Sequence, residues 1–137
     1  MIHRWPLRVY YEDTDLAGIV YYANYLKFIE RARSEMVRHA GVDQTEMKSA
    51  RGIVFAVRRV TADYFKPAKY DDMIDIETTV SALKGASFDM VQKVWREDTL
   101  LFQADVSIVC LNSDGKAARI PADVRHKIET ITAFRRD

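Results

Sequence analysis

The sequence has few of the residues that mark a disulfide-linked or membrane-spanning protein. One cysteine, Cys110, occurs in 137 residues, so no disulfide can form within the chain. No apolar run approaches the roughly 18 residues of a membrane-spanning helix. The N-terminal residues lack the apolar core of a signal peptide. These absences predict a soluble, cytoplasmic protein in a reducing compartment.

The sequence also lacks metal-ligand patterns and has a small net charge. The three histidines are not spaced as metal ligands, so we expect no metal and no other cofactor. A formal net charge of +1 provides no field that would attract nucleic acid. Any anionic ligand must be held by a local group of basic side chains. Lys84 and Arg119, which flank predicted strand ends, are the preferred candidates.

The chain contains enough apolar sequence for one globular core. Hydrophobic residues make up 48% of it and charged residues 30%, and no repeat or linker interrupts it. A length of 137 residues fits a single domain, which we expect to span residues 1–137.

The hydrophobic pattern changes its period along the chain. Residues 7–12 are typical of a strand, and apolar residues at spacings of three and four then predict a long helix over residues 22–40. A period of two follows and predicts an antiparallel meander. Its expected strands are residues 53–65, 73–81, 87–96 and 100–111. Pro121 opens a final helix, whose apolar face consists of Val124, Ile128, Ile131 and Phe134.

This order of elements predicts the fold class. A long helix that follows the first strand must bury its apolar face against the sheet. We therefore predict an α+β hot-dog fold, in which an antiparallel sheet wraps around one long central helix. The sheet is small and its edge strands are exposed, so we expect edge-to-edge pairing into a dimer.

The clearest chemical signal lies between the first strand and the helix. Asp13, Asp15 and Gly18 lie in a short turn before the helix, whose first backbone N–H groups lack intrahelical partners. A carboxylate beside such donors can attack a carbonyl or activate water while the donors hold the developing oxyanion. The alternative is a turn or capping role for Asp15.

Residues around Asp15 have more ordinary predicted roles. Asp13 is expected to organise the turn by bonding backbone N–H groups, and it shares a face with Asp15 if the strand persists. Asn24 is expected to cap the helix. Gly18 permits a positive φ or the close approach of a ligand.

Two segments resemble a known family. Residues 13–33, DTDLAGIVYYANYLKFIERAR, resemble the signature of the 4-hydroxybenzoyl-CoA thioesterase family within the hot-dog superfamily, and residues 70–80, YDDMIDIETTV, resemble its third strand. The resemblance is strongest to the YbgC-like, Tol-Pal-associated acyl-CoA thioesterases. It implies a homodimer or homotetramer with active sites at the dimer interface. It also implies metal-free hydrolysis of an acyl-CoA thioester to a free acid and CoA.

The resemblance further implies roles for individual residues. Asp15 is the catalytic carboxylate, as nucleophile or as general base, and the backbone N–H of Tyr22 is the oxyanion donor. Many YbgC-like members carry histidine at the Tyr22 position, whereas tyrosine is similar to the aromatic-substrate branch. Only the backbone role therefore carries over. The expected substrate contacts are Gly18, Ile19, Val20, Lys84 and Arg119.

Two other functions compete with this interpretation. A hot-dog dehydratase needs a histidine in its active site, and no histidine is close in sequence to the Asp15 turn. A non-catalytic module that binds acyl-CoA or acyl carrier protein would gain little from an anion beside the thioester. Acyl carrier protein and the inner membrane stay open as partners, the membrane through basic residues of the tail helix.

Overall fold

The computed structural model describes residues 2–132, which form five strands and three helices. The strands are β1 (His3–Arg8), β2 (Val54–Tyr64), β3 (Met73–Leu83), β4 (Ser87–Arg96) and β5 (Thr99–Leu111). The helices are α1 (Asn24–His39), α2 (Gln44–Arg51) and α3 (Ala122–Thr132), and a short 3-10 turn spans Tyr11–Asp13. All four strands predicted after the long helix are confirmed. Phe134, expected on the face of the last helix, lies outside the described residues.

The strands form one antiparallel sheet in the order β1-β3-β4-β5-β2. The predicted meander is correct only for β3, β4 and β5. Strand β2 does not pair with β3, because the chain crosses to the other edge and β2 pairs with β5, from Val54 opposite Leu111 to Tyr64 opposite Phe102. The two edges of the sheet are therefore β1 and β2.

Helix α1 lies against one face of the sheet and forms the centre of the core. Its fully buried side chains include Phe28, Ile29 and Ala32, and burying each large apolar side chain contributes about 1.5–3 kcal/mol. The buried amide of Gln92 in β4 donates to the backbone oxygen of Ile29 at 2.9 Å and to Thr78 of β3 at 3.0 Å. These bonds tie α1 to the sheet and confirm the predicted sheet around a central helix.

The first strand ends earlier than the sequence predicts. Strand β1 stops at Arg8, opposite Met73, whereas the prediction extended it through residue 12. The cause is local, because the carboxylate of Asp13 accepts a hydrogen bond from the backbone N–H of Tyr10 at 2.8 Å. That bond closes the 3-10 turn, so Asp13 and Asp15 do not share one face of an extended strand.

Helix α3 docks on the body of the protein. Val124 and Ile128 are buried, and Lys127 donates to the backbone oxygen of Gly41 at 3.0 Å. Arg51 and Asp123 form a two-pronged ion pair at 2.7 and 2.8 Å, which lowers the pKa of the Asp123 carboxyl. Among residues 2–132, no helix is long and apolar enough to cross a membrane.

Candidate active site

Asp15 begins a tight turn that leaves one of its carboxylate oxygens free. Its Oδ1 accepts a hydrogen bond from the N–H of Ala17 at 2.9 Å, and its backbone oxygen accepts one from Gly18 at 3.0 Å. Gly18 has a φ of +81°, a conformation that glycine adopts without strain. Oδ2 of Asp15 accepts no hydrogen bond from any described residue. The side chain is exposed, so this oxygen can reach a ligand.

Asp13 holds the turn against the start of α1. Its side chain is 5% exposed, and Oδ1 accepts a hydrogen bond from the side-chain amide of Asn24 at 2.9 Å. Its backbone oxygen accepts one from the N–H of Tyr21 at 2.9 Å. The predicted organising role of Asp13 agrees with these contacts. The predicted cap at Asn24 is wrong, because Asn24 is the first helical residue and Ala23 occupies the cap position without a side-chain hydrogen bond.

The backbone at the start of α1 presents an unpaired donor. The N–H of Asn24 donates to the backbone oxygen of Tyr21 at 2.8 Å, whereas the N–H of Tyr22 has no hydrogen-bond partner within residues 2–132. The backbone oxygen of Tyr22 accepts a bond from the Tyr64 hydroxyl at 2.8 Å. The positive end of the α1 dipole adds to the field at this donor, so it can bind a developing negative charge.

A cleft of about 290 Å³ opens beside this donor. It includes Ile19, Val20 and Tyr22 from the sequence prediction, and it adds Tyr25, Tyr64, Phe65, Lys66 and Pro67. The hydroxyl of Tyr25 accepts a hydrogen bond from the N–H of Ala68 at 2.9 Å, and burial raises the pKa of Tyr25. No sequence signal marked these added residues as part of a site. Tyr25 is a buried residue of α1, and the other four reach the cleft only because β2 ends beside α1.

The two basic residues predicted to hold phosphates lie elsewhere in the protomer. The Asp15 turn sits at the end of the sheet where β3 begins, since Val20 bonds to the backbone of Ala68 at 2.9 Å. Lys84 follows the other end of β3, about 33 Å away along the strand. There it pairs with Asp89 at 3.5 Å, and Arg119 lies over the neighbouring Gly85. We call these the Asp15 end and the Lys84 end.

Two histidines approach each other outside the cleft. The ring nitrogens of His3 in β1 and His39 in α1 lie 2.8 Å apart. Burial and the proximity of His39 lower the pKa of His3, and Glu35 opposes that shift. Within the described part of the chain, no three His, Cys, Asp or Glu side chains are arranged to hold a metal ion.

Comparison with known proteins identifies the family. A family model described as the Thioesterase-like superfamily matches residues 9–128. The chain belongs to this superfamily. It is a thioesterase of the hot-dog type. Relatives named YbgC confirm the resemblance to the YbgC-like branch.

Individual relatives agree with this assignment. Acyl-CoA thioester hydrolase YbgC of Escherichia coli O6:H1 is 45% identical over 112 residues, which cover 81% of this chain and 83% of the relative. A probable thioesterase from Bartonella henselae has a TM-score of 0.84 at 38% identity, covering 88% of this thioesterase and 100% of that chain. A mutant 4-hydroxybenzoyl-CoA thioesterase complexed with 4-hydroxybenzoyl-CoA has a TM-score of 0.86 at 27% identity, covering 92% and 97%.

Proposed function

We propose that this thioesterase hydrolyses acyl-CoA thioesters to a free acid and CoA within one domain spanning residues 1–137. Asp15 acts as nucleophile or general base, and the N–H of Tyr22 holds the oxyanion. The observation that carries the proposal is the unpaired N–H of Tyr22 at the start of α1, tied through Asp13 to the turn where Asp15 keeps one carboxylate oxygen free. The YbgC and 4-hydroxybenzoyl-CoA thioesterase relatives support acyl-CoA as the substrate class.

The reaction begins with attack on the thioester carbonyl. As nucleophile, the Asp15 carboxylate forms a mixed anhydride and CoA leaves as a thiolate, which takes up a proton; water then cleaves the anhydride and restores Asp15. As general base, Asp15 removes a proton from the attacking water; the C–S bond breaks as the free acid forms, and the departing CoA thiolate takes up that proton. In both routes the carbonyl oxygen gains negative charge, and the N–H of Tyr22 stabilises it. A thiolate is a good leaving group, so a carboxylate and one backbone donor can sustain the reaction.

Substrate binding divides between the cleft and a second protomer. Ile19, Val20 and Gly18 contact the part of the substrate beside the carbonyl. Lys66 lines the cleft with an exposed side chain and is a basic residue of the same protomer that can contact the CoA moiety there. Other phosphate contacts come from the Lys84 end of a partner protomer.

A homodimer formed through β2 brings those ends together. Val57 and Val60 are 47% and 38% exposed on this edge strand, whereas the β1 edge carries Pro6, which discourages strand pairing. In this dimer a twofold axis passes beside the middle of β2, so that β2 of one protomer pairs antiparallel with β2 of the other. The Asp15 end of one protomer then lies beside the Lys84 end of the other.

The test is free-thiol release from short-chain, long-chain and aromatic acyl-CoAs by the wild type and Asp15→Asn. We expect kcat to fall by about 10²–10⁴ in Asp15→Asn, with CoA binding retained. Asp98→Asn, an exposed aspartate in the β4–β5 turn, is the matched control and should behave as wild type. Full activity in Asp15→Asn would refute the site assignment. A folded wild type that binds acyl-CoA but releases no thiol would instead indicate a non-catalytic binding module.

A further inference from the structure

We propose that Tyr64 is a positioning residue for the oxyanion donor. This inference rests on the proposed function of the Tyr22 N–H. Tyr64 is the last residue of β2 and is distant in sequence from the Asp15 turn, yet its hydroxyl donates a 2.8 Å hydrogen bond to the backbone oxygen of Tyr22. It is therefore the side chain through which the sheet holds the residue that carries the donor.

The hydroxyl of Tyr64 has a defined position because its ring is packed on two sides. The ring lies edge-on to buried Phe102, with centroids 5.0 Å apart, and edge-on to Tyr25 at 5.4 Å. Tyr25 in turn stacks on Phe102 at 4.9 Å with an interplanar angle of 13°. Tyr25 and Phe102 belong to the core between α1 and the sheet, and Tyr64, which is 48% exposed, packs at its edge. These ring contacts hold the start of α1 in place relative to β2 and β5.

The backbone on both sides of Tyr22 is held by hydrogen bonds. On one side, the peptide that carries the Tyr22 N–H also carries the oxygen of Tyr21, which accepts the N–H of Asn24 at 2.8 Å. On the other side, the peptide that carries the Tyr22 oxygen is held by the hydroxyl of Tyr64. Both peptide planes that meet at the Cα of Tyr22 are thus restrained, and the direction of the free N–H follows from them.

The bond from Tyr64 replaces a helical bond that α1 does not make. In a regular helix extended by two residues, the oxygen of Tyr22 would accept the N–H of Leu26. Here the N–H of Leu26 donates to Ala23 at 3.1 Å. Without the Tyr64 hydroxyl, the oxygen of Tyr22 loses its protein partner and the peptide between Tyr22 and Ala23 can turn. The adjoining peptide, which carries the Tyr22 N–H, then loses a restraint at the Cα that the two peptides share. The N–H then spends less time directed at the carbonyl oxygen in the transition state.

The first experiment compares Tyr64→Phe with wild type and with Tyr70→Phe as the matched control. Tyr70 is exposed, contacts Tyr11 edge-on and lies outside the cleft, so its variant should keep wild-type kcat. Removing the Tyr64 hydroxyl should lower kcat about tenfold. The KM should stay within about twofold, because the ring still lines the cleft. An unchanged kcat would overturn the proposal, even if thermal stability fell.

The second experiment measures how strongly the oxyanion donor polarises the bound carbonyl group. The carbonyl stretch of a ¹³C-labelled acyl-CoA bound to Asp15→Asn is compared with the same stretch in Asp15→Asn/Tyr64→Phe. A weaker oxyanion donor polarises the carbonyl less, so the band should move to higher wavenumber in the double variant. An identical band would refute a positioning role while leaving the proposed hydrolysis intact. A folded wild type that releases no thiol from any acyl-CoA would refute the proposed function itself, and the role of Tyr64 with it.

Discussion

At the scale of single residues, the proposed oxyanion donor is a backbone group rather than a side chain. A free N–H at the start of a helix can stabilise an anion whatever side chain its residue carries. The proposed role therefore does not depend on the tyrosine side chain at this position. Tyr22 is 64% exposed, so packing does not require a tyrosine side chain at this position.

The backbone role of Tyr22 predicts different effects for two substitutions. Tyr22→Pro removes the N–H, which makes no hydrogen bond within the described residues, and should lower kcat by about 10²–10³. Tyr22→Phe keeps the N–H and should retain kcat within a few-fold. Steady-state kinetics measures both, and circular dichroism checks that Tyr22→Pro still folds. Equal kcat in the two variants would contradict the role of the N–H.

Gly18 predicts a backbone effect on stability. Its φ of +81° disfavours residues with a Cβ, although a Cβ there would meet no atom within 4 Å. Gly18→Ala should therefore lower the free energy of unfolding by about 1–2 kcal/mol. Gly18→Asn should cost less, because asparagine tolerates this conformation. Urea denaturation measures both variants, and equal losses would show that strain at this φ is not the cause.

At the scale of elements, the Asp15 turn and α1 are fastened to the sheet at several points. Gln92 holds the middle of α1, Tyr64 holds its start, and the His3–His39 pair joins its last turn to β1. In the histidine pair one ring must donate and the other accept, so the contact requires a neutral ring.

The histidine pair predicts a pH dependence of stability. The pKa of His3 in the folded protein lies below its ordinary 6.5, because burial disfavours the charged ring and His39 is close. Below pH 6.5 the unfolded state binds a proton at His3 that the folded state binds only at lower pH, so stability falls as pH falls. His3→Gln should show a shallower loss between about pH 7.5 and 5.5 in urea titrations.

The control for this prediction is His126→Gln. His126 is exposed on α3, so its substitution should leave the pH dependence as steep as in wild type. If His3→Gln and wild type lose stability in parallel, other groups determine the pH dependence and the role assigned to His3 is wrong.

At the scale of the whole molecule, the two ends of the sheet carry different parts of the proposed site. The carboxylate and oxyanion donor lie at the Asp15 end, whereas Lys84 and Arg119 lie at the Lys84 end of the same protomer. A strand of eleven residues separates the ends, about 33 Å along the strand, so we expect the two ends of one protomer to serve different active sites. The proposed dimer resolves this separation.

A mixed dimer tests whether Lys84 and Arg119 act across the interface. One protomer carries Asp15→Asn and the other carries Lys84→Ala with Arg119→Ala. If the basic residues act on the partner's site, one of the two sites has an intact Asp15 and an intact basic pair. The purified heterodimer should then show about half the wild-type kcat with wild-type KM, although both parent homodimers are impaired.

The opposite result is equally specific. If each protomer's basic pair served its own Asp15, the heterodimer would contain no fully intact site, and its KM would match that of the Lys84→Ala/Arg119→Ala homodimer. Size-exclusion chromatography with light scattering confirms that the tagged heterodimer is dimeric before the assay. A monomeric wild type would refute the dimer itself.

Much of the fold is predictable because its signals are local. The change of period from 3.6 to 2 and the turns near Gly85 and Asp114 are visible in the sequence, and the strands and α1 follow them within a few residues. The prediction errors arise where a side-chain hydrogen bond ends a strand, or where pairing with a strand distant in sequence sets the strand order. Asp13 ends β1 early through a hydrogen bond, and the position of β2 beside β5 depends on a crossover that no local pattern specifies.

The sequence by itself determined the elements, the family and the turn that carries Asp15, because periodicity, turn residues and a contiguous signature are properties of neighbouring residues. Only the tertiary structure decided that Tyr64 reaches Tyr22 and that Lys84 lies at the opposite end from Asp15. Those relations join residues far apart in the chain, and the physical reason is the antiparallel register. It reverses each strand relative to its neighbours in the sheet and so determines which strand ends meet.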